Sequence, residues 1–156
     1  MSKKSEKLFK SQTILSGIIN TAEDAIISVD SNQQILLFNQ GAEKIFCYSA
    51  EEVLGKHLSM LLPEAFRSVH TTHVQNFGKS GVISRRMQER SEISGQRKNG
   101  SIFPAEANIS QLEIEGRQIY TAILQDVSEQ KLIENKLRES LKEKEILLQE
   151  VNHRVK

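Results

Sequence analysis

The chain has 156 residues, with 21 Lys+Arg against 20 Asp+Glu, 38% hydrophobic and 26% charged residues, and a net charge of +1. This is the profile of one soluble domain with an appended segment rather than a two-domain enzyme, and a core of roughly 100 to 110 residues folds without a disulfide framework or a structural metal. The near-zero net charge argues against a dominant nucleic-acid or membrane surface. No run approaches the roughly 18 apolar residues of a spanning helix, and the start, Met1-Ser-Lys-Lys-Ser-Glu-Lys, lacks the apolar stretch of a signal peptide. The one cysteine, Cys47, cannot make an internal bridge, which fits a reducing, cytoplasmic setting.

From Lys3 to about Glu23, Leu8, Ile14, Leu15, Ile18 and Ile19 recur at helical spacing with no proline between them, which predicts an amphipathic helix. Its four lysines among the first ten residues read as a solvated helix start. Ala25-Ile-Ile-Ser-Val-Asp and Ile35-Leu-Leu-Phe-Asn are runs of strand formers, and the Asp30-Ser-Asn-Gln-Gln between them has turn composition, so the two predict a hairpin. Gln40 to Tyr48 reads as a short helix, with Cys47 as a small core residue between Phe46 and Tyr48. In Ser49-Ala-Glu-Glu, Glu52 stands where it completes a capping box. Pro63-Glu64 opens a further helical stretch through Phe77, with Phe66, Val69, His73 and Phe77 on its inner face.

After Gly81 the pattern changes. Glu89 to Arg97 reads as a strand, Lys98-Asn-Gly-Ser as a tight turn and Ile102 to Ile114 as its long partner. Glu115-Gly116 turns the chain into a last strand, Arg117 to Val127, with Tyr120, Ala122 and Leu124 on one face and Ile119, Thr121, Ile123 and Gln125 on the other. Five strands in two groups, joined by hairpins and separated by short helices, predict an antiparallel sheet with helices on one face, an α+β arrangement. Residues 129–156 differ in kind: they lack Gly, Pro and aromatic residues and pair Glu134 with Arg138 and Glu150 with Arg154 at i,i+4. Leu137, Leu141, Leu148, Val151 and Val155 form a 4-3 seam passing through Lys144, while Ile133, Leu137 and Leu141 step by four twice, a local stutter. The seam predicts a helical homodimer; the alternative is a helix packed back on its own sheet.

The order of these elements, with the strings Ala25-Ile-Ile-Ser-Val-Asp, Phe38-Asn39 with Ala42-Glu43, Glu51-Glu-Val-Leu-Gly-Lys, Arg97-Lys-Asn-Gly-Ser with Phe103-Pro104, and Leu124-Gln-Asp-Val-Ser-Glu, resembles a PAS sensor domain over about residues 22 to 128. The resemblance implies a five-stranded antiparallel sheet cupping a small cavity, and a signal leaving through the last strand into the helix behind it. It divides the chain into an N-terminal helix (1–21), the sensor (22–128) and a coiled-coil signalling helix (129–156). In PAS domains the aspartate matching Asp126 belongs to the junction that couples sensor to effector. Independently, the junction Asp126-Val127-Ser128-Glu129 contains no glycine, so a shift in the last strand tilts or rotates the helix instead of dissipating. Ser128 suits an N-cap and Glu129 a first turn; capping alone is the plainer reading of these residues.

Leu147-Leu-Gln-Glu-Val-Asn-His-Arg-Val-Lys resembles the phosphoacceptor box of bacterial sensor histidine kinases, which makes His153 the phosphorylated residue. The seam places His153 at position f, facing outward, as an acceptor of γ-phosphate requires. The resemblance implies a two-component protein whose ATP-binding kinase domain and response regulator are partners, and these 156 residues hold no Gly-rich phosphate loop of their own.

His70 and His73 stand at i,i+3 after Leu62-Pro-Glu-Ala-Phe-Arg67. This stretch, with Ser94 to Ser101, resembles the haem-binding PAS domains of rhizobial oxygen-sensing kinases, in which the histidine matching His70 ligates iron. The sequence departs from that pattern at Asn76, where those proteins carry a propionate-binding arginine, and at Arg85, Arg86 and Arg90, where their pocket is apolar. A haem-dependent gas or redox sensor and a ligand-free interaction module therefore stand beside the signalling reading. A flavin photosensor lacks its Asn-Cys-Arg-Phe-Leu-Gln string, two histidines do not make a metal site, and no hydrolytic triad motif occurs.

Overall fold

The computed structural model describes residues 3–67, 84–86 and 93–155. The chain forms two compact units, one ending at Asp126 and one beginning at Val127. In the first, α1 (Lys3–Thr21) leads into the hairpin of β1 (Ala25–Val29) and β2 (Ile35–Phe38), then α2 (Gln40–Phe46), α3 (Ala50–Val53) and two 3₁₀ turns, Leu58–Leu61 and Glu64–Phe66. The strands β3 (Ser84–Arg86), β4 (Ile93–Gln96), β5 (Ile102–Ile114) and β6 (Arg117–Asp126) follow. The second unit is α4 (Ser128–Val155).

All described pairings are antiparallel, in the order β2-β1-β6-β5 with β3 and β4 both bonded to β5. Because β4 pairs with Ile102–Ala105 and β3 with Asn108–Ser110, the two segments share one edge, and the sheet is five positions wide. The expected strand over 89–97 is described from Ile93. The Ser84–Arg86 segment was not expected, and Arg97 stands just outside β4 in the turn.

Register decides which side chains meet. Ala25↔Leu124, Ile27↔Ala122 and Val29↔Tyr120 continue into Ala107↔Leu124 and Ile109↔Ala122, so these residues share one face. That face carries the core: Ala25, Ile27, Val29, Phe103, Ala105, Ala107, Tyr120 and Leu124 are buried with Phe46 and Val53 from the helices and Leu61 from the first 3₁₀ turn. Small residues on the central strands let the helices close down on the sheet.

Asn39 fastens the elements around α2. It is 2% exposed; its Oδ1 accepts from the Ile26 and Ala42 N–H groups at 2.8 and 2.9 Å, and its Nδ2 donates to the Ile19 and Asp24 carbonyls at 2.8 and 3.0 Å. One side chain thus caps α2, ends α1 and opens β1, with all its hydrogen-bonding capacity used. Two expectations differ from the outcome. Phe66 is 46% exposed rather than inward; the remainder of that expected helix, with Val69, His73 and Phe77, lies outside the described residues. Cys47 is exposed, because α2 ends there in a left-handed turn (φ 63°) that carries its side chain off the buried face.

Gly95 lies opposite Phe103, and a Cβ there would stand 2.5 Å from Phe103 Cζ and 3.1 Å from Phe46 Cε1. Gly95→Ala is expected to lower the unfolding free energy by about 1–3 kcal/mol through overpacking. Gly17→Ala, in an α1 turn with nothing within 4 Å, is expected to raise helix stability by up to about 1 kcal/mol. Denaturant midpoints of the two variants check both signs.

Candidate functional site

The turn that joins β4 to β5 is built by local chemistry. Arg97 N–H donates to the Ser101 carbonyl at 2.9 Å, Gly100 N–H to the Arg97 carbonyl at 2.9 Å, and Asn99 Oδ1 accepts from Ser101 N–H at 3.0 Å. Gly100 takes the positive φ (87°) that this turn demands. The turn holds two cations against the end of α2. Lys98 N–H donates to the Phe46 carbonyl at 2.9 Å, and its ammonium meets Glu52 Oε1 at 2.6 Å.

Arg97 does more. Its Nη1 donates to the Ile45 carbonyl at 2.5 Å, its Nη2 donates to Asp126 Oδ2 at 2.6 Å, and its guanidinium lies 4.2 Å from the centre of the Phe103 ring. Arg97 and Asp126 side chains are 22% and 23% exposed, shielded enough for charge-assisted bonds to hold better than on an open surface. Phe103 packs edge-on to Phe46 at 5.3 Å, and Phe46 tilts against Phe38 at 6.1 Å. An unbroken set of contacts therefore runs from β2 through the core aromatics and Arg97 to Asp126, the last residue of β6. Register explains the meeting: Asp126 stands opposite Ala105, on the core face.

Of the residues singled out from the sequence, Asp126 is thus tied to the core. Ser128 opens α4 as its first helical residue, with the Val127 carbonyl accepting the first helical bond from Lys131 N–H at 2.9 Å, so the cap falls one residue earlier than expected. His153 lies exposed in the last turn of α4, on which no residue is buried. His70 and His73, and with them the haem expectation, lie outside the described residues. Arg97 had no assigned role in the sequence reading; the available signal was a cation at the mouth of an Asn-Gly turn. Among the described residues no helix is long and apolar enough to cross a membrane.

The sequence profile of the PAS domain family matches residues 23–129. The chain belongs to the PAS domain family. The sensor protein FixL of Bradyrhizobium diazoefficiens is 28% identical over 133 residues, 82% of this chain and 25% of that protein. The cell-division control histidine kinase PdhS of Brucella ovis is 27% identical over 131 residues, 84% of this chain and 12% of that protein. The chain spans a quarter or less of these two relatives. The PAS domain of an HTR-like protein from Haloarcula marismortui superposes with a TM-score of 0.67 at 21% identity, covering 80% of this chain and 98% of that one, which shows the fold. This PAS domain therefore has a sensor protein and a histidine kinase among its relatives.

Glu52 is held below its ordinary carboxylate pKa, first by the hydrogen bond from Lys98 and then by that from Ser49 N–H, while the same contact raises Lys98. A carboxylate lowered in the fold contributes stability above its unfolded pKa and loses it as pH falls through the folded one. The melting-temperature difference between wild type and Glu52→Gln is therefore expected at pH 7 and to close as the pH falls below the ordinary carboxylate range, which thermal melts across pH check.

Proposed function

We propose that the chain is the signal-sensing and dimerising module of a two-component sensor histidine kinase, with residues 22–128 as sensor, 1–21 as a flanking helix and 129–156 as the signalling helix. The observation that carries this reading is the Arg97–Asp126 pair at 2.6 Å. It couples the core aromatics and the end of α2 to the residue at which the sheet ends. A ligand or partner that moves α2 or Phe103 changes the support of Asp126, and through Val127 and Ser128 the chain passes directly into α4 without a glycine to absorb the shift. In this reading Asp126 and Ser128 are coupling residues that touch no substrate.

The output is phosphoryl transfer to His153. An imidazole nitrogen accepts the γ-phosphoryl group of ATP from a kinase domain and later yields it to a response regulator. His153 is exposed, with Glu150 three residues earlier on the same helix. The ATP-binding domain and the response regulator are the partners of this reading, a second copy of the chain pairs through its helices, and the setting is the bacterial cytoplasm.

Asp126→Ala, placed in the chain joined to its kinase domain, is expected to change autophosphorylation or its response to signal by roughly 5-fold or more while the sensor keeps its circular dichroism. Unchanged signalling would remove the coupling role. With a donor kinase domain and labelled ATP, wild type is expected to take up label that His153→Ala loses; label that persists in the variant rejects His153 as acceptor.

A further inference from the structure

The apolar residues of α4 do not fall on a single line. Leu137, Lys144 and Val151 repeat every seven residues. Leu141, Leu148 and Val155 flank this column four residues on, while Ile133 and Leu147 flank it on the other side, three residues on or four back. All seven aliphatic side chains are 55–82% exposed. Resting on the dimer reading above, we propose that α4 carries two interleaved heptad seams sharing this column, so that a parallel pair of these helices has two rotational registers.

The first register joins the shared column to Leu141, Leu148 and Val155, five aliphatic residues in all. The second joins it to Ile133 and Leu147, four in all, with Ser140 and Arg154 in the remaining positions. A difference of one aliphatic side chain leaves the two close in apolar content, which is what a bistable element needs. With 3.6 residues per turn, the seam centres lie about 50° apart around the helix. Turning from one to the other moves His153 from position f to position c and re-aims it by the same angle.

The occupant is a second copy, and charge argues for it. Lys144 would be a poor seam residue unless carboxylates met it. In the first register it takes position d, which packs beside the following residue of the partner, Glu145. In the second it takes position a, which packs beside the preceding residue of the partner, Glu143. The Glu143-Lys144-Glu145 triplet thus supplies a counter-charge in both registers.

The test is disulfide trapping in the full 156-residue chain with exposed Cys47 replaced by serine. Leu141→Cys reports the first register and Ser140→Cys the second. Both are expected to cross-link. Adding Glu145→Arg, which sets like charges against Lys144 in the first register only, is expected to shift the yield about threefold toward Ser140→Cys. Glu143→Arg is expected to shift it about threefold toward Leu141→Cys. Cross-linking confined to one position, or yields that neither charge reversal moves, overturns the two registers and leaves the dimer standing. No cross-link at 140 or 141, with a monomer in sedimentation, overturns the dimer reading and the registers with it.

Discussion

The guanidinium of Arg97 is the point at which the end of α2 and the last residue of the sheet are held together. A planar fork reaches two acceptors in different directions, and here one is the Ile45 carbonyl at the end of α2 and the other the Asp126 carboxylate. A lysine could satisfy one of them as a point charge but not span both. Hydrogen bonds to charged groups contribute about 1.5–3 kcal/mol each where solvent is partly excluded, and the ring of Phe103 screens one face of the ion. The arrangement ties three parts of the chain that are remote in sequence: the turn after β4, the end of α2 and the last residue of β6.

Small residues make that convergence possible. Gly95 admits Phe103 beneath β4, and Phe103 in turn supports Arg97. Gly41 serves the other end of α2, where a Cβ would collide with the Asp24 carbonyl oxygen. The helix is thus pinned at its start by Asn39 and at its end by Arg97 and Lys98, with Phe46 and Ala42 packed between. An element held by hydrogen bonds at both ends resists fraying at either one.

Much of this architecture follows from local sequence rules. The hairpins were readable because strand formers alternate around Asp30-Ser-Asn-Gln, Lys98-Asn-Gly-Ser and Glu115-Gly116, whose turn chemistry is local. Ser84–Arg86 was not readable, since a three-residue strand without alternation is made by its partner β5. Cys47 misled for a related reason: its neighbours are aromatic, but α2 ends there in a left-handed turn that carries the side chain off the buried face. The Arg97–Asp126 pair was half visible. Both residues stand in the family strings, but their pairing emerges only when folding brings Arg97 across 29 positions of sequence to the Asp126 carboxylate.

The second unit poses the opposite problem, an element whose local rules are complete and whose tertiary ones are not. The 28 residues of α4 form one helix with no buried side chain. The i,i+4 pairs Glu134–Arg138 and Glu150–Arg154 contribute only about 0.2–0.5 kcal/mol each, and most helix stability in proteins comes from burying an apolar face. A helix that spends nine aliphatic side chains on its surface therefore carries its remaining stability in a surface not yet covered. Because that surface is wider than one seam, the way it is covered is not fixed by the helix itself.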